Sequence, residues 1–193
     1  MEEIRELKER LNRERPATWD ALPDLSLYMD QLIAYMPRQL IHFDEGDMLT
    51  SAMVNNYIKD GLLPRAEGKR YSQTHLAYLT AICALKQVLS VKEIKTLIQD
   101  GSEGREPERL YNYFCRELDR AMNETAADLD EDLPQEDLAR LALDLALHSY
   151  VHKLACQRIL SLLHKEEDPP ADKKSGKGDD KTKSKDKNKE KSE

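Results

Sequence analysis

The side chains best suited to chemistry in this chain are polar and basic groups between positions 50 and 71. Asparagine amides can hydrogen-bond the edge of a base, while lysine, arginine and hydroxyl groups bind phosphate. The residues that we expect to form one anion-binding surface are Thr50, Ser51, Asn55, Asn56, Lys59, Arg65, Lys69, Arg70 and Tyr71. No glycine-rich phosphate loop or nucleophile elbow occurs, so the sequence favours a binding protein over an enzyme.

The charge pattern places these residues in a basic island. Residues 49–98 carry a net charge of +4, whereas residues 1–48 sum to −5 and residues 99–164 to −7. A basic island attracts an anionic partner through its local field, even in a chain whose total charge is −7.

Helical periodicity dominates the elements that must position these residues. Only seven glycines occur in 193 residues, and no four-residue stretch alternates like a half-buried strand, so the sequence predicts an all-α protein. The first predicted helices are an opening helix through Ile4, Leu7 and Leu11, one over Leu27–Met36, and one from Thr50 or Ser51 to Gly61. They are followed by a helix capped by Ser72 that carries Leu85, one from Val91 to about Gln99 that stops at Gly101, one that begins at Pro107 and carries Met122, and one from Pro134 to about His164.

A short basic chain reversal, residues 65–71, separates the helix that ends at Gly61 from the helix that begins at Ser72. Pro64 cannot continue a helix, and Gly68 suits a tight turn. A short helix followed by a basic β-hairpin is typical of a winged helix-turn-helix, in which the helix enters the major groove and the wing contacts the backbone. The scaffold under this surface is predicted to consist of Val54, Ile58, Leu62, Leu76, Leu79 and Ile82.

Residues 54–64, VNNYIKDGLLP, resemble the end of the recognition helix in the MerR family of bacterial transcription regulators. Residues 69–76, KRYSQTHL, resemble the exit of that family's wing and its next helix. Ile82, Leu85 and Lys86, followed by residues 89–94, LSVKEI, resemble its following helix pair. Asn55 and Asn56 stand where that family usually has Arg and Tyr. More closely, residues 23–98 are similar to an uncharacterised bacterial family, the domain of unknown function numbered 1836.

The MerR resemblance implies a DNA-binding transcriptional regulator whose partner is double-stranded DNA. Thr50, Ser51, Asn55, Asn56 and Lys59 would face the major groove. Arg65, Lys69, Arg70 and Tyr71 would contact phosphates. Two alternatives stay open, a protein-interaction adaptor on the same scaffold and a regulator that responds to a ligand or metal effector.

Composition and patterning divide the chain into four predicted segments: an amino-terminal helix and linker (1–22), the winged helix-turn-helix (23–100), a helical assembly region (101–164) and a disordered charged tail (165–193). The stretch 138–147 is apolar on nearly every helical face, so we expect a second subunit to cover it in a homodimer.

His148, His152 and Cys156 lie at i, i+4 and i+8, a spacing that puts potential metal ligands on one helical face. Because apolar residues share this face, we predict that the three side chains belong to the helical core and that no metal or other cofactor binds. The three cysteines are widely spaced and odd in number, which does not suggest a disulfide framework. Together with the lack of a signal peptide and of a long apolar run, this predicts a cytoplasmic protein without a membrane partner.

Overall fold

The computed structural model describes residues 2–42, 48–102 and 106–166, and these residues form an all-helical protein. The predicted all-α class is therefore confirmed. The predicted disordered tail lies, from residue 167 onward, outside the described residues. The α-helices are α1 (Glu2–Arg13), α2 (Met29–Tyr35), α3 (Ser51–Lys59), α4 (Gln73–Leu85), α5 (Val91–Ser102), α6 (Pro107–Asp128) and α7 (Leu138–Glu166), with 3₁₀ turns at Trp19–Ala21, Met36–Arg38 and Gln135–Asp137.

The core is built around α4. Leu76, Leu79 and Ile82 are completely buried, so α4 is covered on several sides at once. The predicted scaffold is confirmed, since Val54, Leu62 and these three residues are buried and Ile58 packs against them. The same cluster also contains residues that are distant in sequence, among them Leu32, Ile94, Tyr111 and Leu160.

Local signals set the ends of α3. The Thr50 hydroxyl accepts a hydrogen bond from the Met53 amide at 3.3 Å, which caps the first turn. At the other end Gly61 has φ +72°, and the amides of Gly61 and Leu62 donate to the carbonyls of Ile58 and Tyr57. This arrangement is a Schellman motif, in which glycine supplies the left-handed conformation.

The next two helices begin with capping boxes. The Ser72 amide donates to His75 Nδ1 at 3.0 Å, and the Ser90 amide donates to Glu93 Oε2 at 2.8 Å. The far end of α5 corrects the sequence prediction, because the helix runs through Gly101 to Ser102. A glycine inside a helix costs only about 1 kcal/mol, which neighbouring structure can offset.

The expected β-hairpin wing is reduced to a tight reversal. The Arg70 amide donates to the Glu67 carbonyl at 2.9 Å, and two isolated β-bridges, Glu67–Arg70 and Leu27–Tyr71, occur here. Within residues 2–42, 48–102 and 106–166 no β-strand forms, so a two-stranded wing is not shown.

Two contacts hold the amino-terminal segment against α6. The Tyr111 hydroxyl donates to the Ala17 carbonyl at 2.8 Å, and the Arg15 guanidinium forms an ion pair with Asp119 and a hydrogen bond with Asn123. Helix α1 itself lies along α6 and has no buried residue, so it packs on α6 outside the core cluster.

Candidate nucleic-acid interface

Helix α3 has one buried face and one polar, exposed face. Val54 and Tyr57 point into the core, whereas Ser51, Asn55 and Lys59 are exposed and follow one another at four-residue spacing. Residues at this spacing lie above one another on a helix, so the three side chains form a continuous row. Asn56 is exposed beside that row.

The reversal after α3 exposes the predicted phosphate-binding side chains Arg65, Lys69 and Arg70. Gly68 has φ +56° and Lys69 has φ +63°, so both central residues of the turn are left-handed. This backbone matches the two-residue turns that reverse β-hairpins tightly. Lys69 is the only described non-glycine residue with a positive φ.

Arg70 is held by an aromatic residue far away in sequence. Its Nη2 donates to the Tyr28 hydroxyl at 2.9 Å, and its guanidinium carbon lies 4.8 Å from the centre of the Tyr28 ring. The Leu27 and Tyr71 backbones exchange two hydrogen bonds of 2.9 and 2.8 Å beside this contact. The base of the reversal is thus fixed to the start of α2.

Tyr28 is a residue of this surface that sequence reasoning missed. Its side chain is exposed and it precedes α2, where nothing local distinguishes it from other surface tyrosines. The signal is the juxtaposition of the Leu27–Tyr71 bridge with Arg70, which depends on how the chain folds back over more than 40 residues.

Tyr71 was expected to contact phosphate, but its side chain is buried. It is 5% exposed and belongs to the hydrophobic core, and its ring meets the His75 ring edge-on at 5.5 Å. The backbone is extended at the Leu27 bridge, so the side chains of successive residues point to opposite sides. Arg70 therefore points outward while the Tyr71 ring packs inward.

His75 connects the reversal to the start of α4. Its Nδ1 lies 2.9 Å from the Ser72 hydroxyl, and its buried Nε2 has no hydrogen-bond partner among the described residues. Burial lowers the pKa of His75 below its ordinary value of 6.5, and the nearby backbone of Pro64 and Arg65 opposes part of that shift. The ring is therefore neutral at pH 7.

The four cations of the surface have no ion-pair partner among the described carboxylates. Salt bridges do neutralise basic side chains elsewhere, on α1, in the linker after it and on α6. The surface cations without an ion pair are Lys59, Arg65, Lys69 and Arg70, and exposed cations elsewhere, such as Arg38 and Lys92, are unpaired within the described ranges as well. Exposed cations without carboxylate partners are available to an external anion.

The predicted burial of the two histidines of α7 is wrong. His148 and His152 are exposed, with ring centres 6.4 Å apart, whereas Cys156 is partly buried against the core. Exposure follows because the middle of α7 does not lie against the rest of the described chain. In the described ranges, no three His, Cys, Asp or Glu side chains are grouped so that they could hold a metal ion.

The other two cysteines lie on helices of the core, as predicted. Cys83 is buried, and burial raises the pKa of its thiol to about 11, so the thiol stays protonated. Cys115 packs against the core from α6, and burial raises its pKa as well.

Among the described residues no helix has the length and apolar character needed to cross a membrane.

Comparison with known proteins shows the family of this chain. Residues 17–114, just over half of the chain, match the family described as Domain of unknown function (DUF1836). The chain belongs to this family, as the resemblance of residues 23–98 indicated. The match begins at Ala17 and ends at Phe114 within α6, so α1 and α7 lie outside it. No curated protein and no solved structure matches the chain.

Proposed function

We propose that this protein is a DNA-binding transcriptional regulator that acts as a homodimer. In this proposal the exposed row of α3, Ser51, Asn55 and Lys59, enters the major groove together with Asn56. The reversal contacts the phosphate backbone through Arg65, Lys69 and Arg70. Thr50 caps α3, and the amino-terminal end of α3 faces the groove.

One observation carries the proposal: a short helix with a polar outer row is followed at once by a turn whose cations have no carboxylate partner within the described ranges. A row containing asparagine can read adenine through two hydrogen bonds, and cations on an adjacent turn can fix the register through phosphates. The Leu27–Tyr71 bridge and the Tyr28–Arg70 contact support the proposal, since they hold the turn at a fixed place beside α2.

Selection of genomic DNA fragments by the purified full chain tests this function. We expect an enriched site, bound more weakly as salt increases, and Arg65→Gln should weaken binding to every sequence. Lys92→Gln is the matched control, because it removes one exposed cation from the start of α5, outside the proposed surface. Absence of an enriched site together with unchanged binding by Arg65→Gln would contradict the proposal.

A second candidate function is a protein-interaction adaptor. Tyr28 is about half exposed and stacked with Arg70, and tyrosine and arginine are the residue types that contribute most to protein interfaces. Salt dependence separates the two functions. DNA binding that follows phosphate neutralisation falls steeply with salt, whereas an interface built on Tyr28 would change little between 50 and 200 mM salt, roughly the range over which DNA binding falls by orders of magnitude.

A further inference from the structure

Helix α7 has a face that packs on its own chain. Cys156, Leu160 and Leu163 lie against the core at its carboxyl-terminal end, and Gln157 Nε2 donates to Glu93 Oε1 of α5 at 2.8 Å. Leu141 and Leu145 are partly buried near the other end. At about 100° per residue these side chains share one side of the helix.

A second apolar stripe runs along the opposite side of the same helix. It consists of Leu143, Leu147, Tyr150 and Leu154, which are 58%, 51%, 62% and 55% exposed. Their separations of four, three and four residues keep them on one line, about half a turn from Leu145. A line at this spacing is the pattern by which two helices pack side by side.

Nothing in the described chain covers this outer stripe, since it faces away from the core that α7 packs on. The sequence after Glu166 is an unsuitable cover, because its apolar residues are confined to Pro169, Pro170 and Ala171. Burying leucine and tyrosine side chains requires an apolar partner surface.

We infer that α7 pairs antiparallel with α7 of a second copy of this chain, with the two-fold axis passing between His148 and Ser149. This register places Leu143 opposite the partner's Leu154 and Leu147 opposite the partner's Tyr150. The two cores lie on the outer sides of the helix pair, because each packs on the opposite face of its own α7.

Charge selects the antiparallel orientation. Asp144 and Arg158 flank the stripe on the same edge, and antiparallel pairing brings Asp144 towards the partner's Arg158. A parallel pair would instead bring Lys153 towards the partner's Arg158, which places like charges together twice by symmetry. Arg140 lies on the same edge and, in this register, beside the partner's Arg158, so a repulsion accompanies each Asp144–Arg158 attraction of the antiparallel pair. The parallel pair has the Lys153–Arg158 repulsions without a compensating attraction.

The size of the stripe sets the expected strength of the dimer. Pairing over residues 140–157 spans about 27 Å and would bury about 1,000 Å² in total, at the lower limit of specific interfaces. The dimer should therefore dissociate in the micromolar range. This pairing gives a geometry to the homodimer in the proposed function, but it is measured without DNA, so its failure and that of DNA binding are separate outcomes.

Sedimentation of the full chain across a micromolar concentration series tests the pairing. We expect a monomer–dimer equilibrium that Leu147→Asp abolishes while the circular dichroism spectrum stays unchanged, because Leu147 does not pack on the core. Ser149→Asp is the matched control, since it adds the same charge at an exposed position of α7 away from the stripe. A chain that stays monomeric throughout overturns the inference, as does a dimer unaffected by Leu147→Asp.

Charge reversal at exposed positions tests the orientation without touching the core. Asp144→Arg should weaken the dimer by roughly fivefold or more, because it places a second cation near the partner's Arg158, and adding Arg158→Asp should restore the affinity. In a parallel dimer Asp144 does not meet the partner's Arg158, so Asp144→Arg would leave association unchanged. That result would overturn the antiparallel pairing.

Discussion

Lys69 shows at the scale of one residue how a charged group can be kept in a costly conformation. Its φ of +63° lies in the left-handed region, where a residue with a Cβ atom costs about 1–2 kcal/mol relative to the right-handed one. Glycine, or asparagine at smaller cost, would be more stable at this second turn position. A strained residue at an exposed turn is a pointer to function.

The substitution Lys69→Gly should therefore separate stability from binding. Removing the Cβ atom relieves the backbone, so the free energy of unfolding should rise by up to about 1 kcal/mol in urea denaturation. DNA binding should weaken for all sequences, because one cation per chain is lost. Lys69→Ala is the control: it should lose the same affinity without gaining stability. Unchanged affinity in both variants would remove Lys69 from the interface.

Asn55 carries the prediction about base reading. It lies in the middle of the exposed row of α3, away from the core. Asn55→Ala should cost about 1–3 kcal/mol at the selected site and little on random DNA, if its amide reads a base edge. Fluorescence anisotropy with both DNA samples measures the difference. An equal loss on both would assign Asn55 to backbone contact instead.

His75 predicts a pH dependence of stability. Because burial lowers its folded pKa below 6.5, the unfolded chain binds a proton more readily, and stability falls as pH drops below 6.5 until the folded pKa is reached. His75→Gln keeps an acceptor for the Ser72 amide but cannot titrate. Thermal denaturation between pH 7 and 5 should show a smaller decline for His75→Gln than for the parent chain. An identical decline would contradict this assignment.

At the scale of elements, Glu93 joins the start of α5 to α7. Its carboxylate accepts from the Ser90 amide and hydroxyl and from Gln157, and these hydrogen bonds lower its pKa below the ordinary 4.5. The stability it contributes is present above pH 4.5 and is lost as pH falls through the lower folded pKa.

Glu93→Gln should remove this part of the acid sensitivity. A glutamine can still close the capping box, so the variant should fold at pH 7 with a modest loss of stability. Between pH 5 and 3 its melting temperature should decline less steeply than that of the parent chain. Glu106→Gln serves as control, because that exposed carboxylate accepts no side-chain cap hydrogen bond. Parallel declines in Glu93→Gln and the parent would contradict the role of Glu93.

The helices could be predicted because their ends depend on neighbours in the chain. Thr50, Gly61 and Ser90 act within four residues, so the signals at α3 and α5 are readable in the sequence. The exposed row of α3 follows from the same periodicity.

What could not be predicted depends on contacts between distant segments. Tyr71 reads as a polar aromatic beside two cations, and only its bridge to Leu27 turns the ring inward. The Tyr28–Arg70 contact has the same origin. Conversely, His148 and His152 read as core residues because apolar neighbours surround them, yet no element of the described chain lies against them.

At the scale of the whole molecule, the number of free cations sets how binding responds to salt. A dimer would bring four from each chain, eight in all, to phosphates. The log–log slope of affinity against salt should then be about −7, whereas a monomer would give about −3.6. Titration between 50 and 200 mM salt, roughly, measures the slope. Lys69→Gly should flatten it by about 2 in a dimer, and a slope near zero would favour the adaptor function.

The family match and the core do not share a boundary. The match ends at Phe114, but the cluster around α4 includes Leu160 of α7, which is 3% exposed. Ribosomes make the chain from its amino terminus, and domains usually fold as units as they emerge. Here the part of the core that α7 supplies is synthesised after the rest of the core. Until Leu160 emerges, the nascent family domain keeps apolar surface open, and its completion has to wait for a helix that the family match does not include.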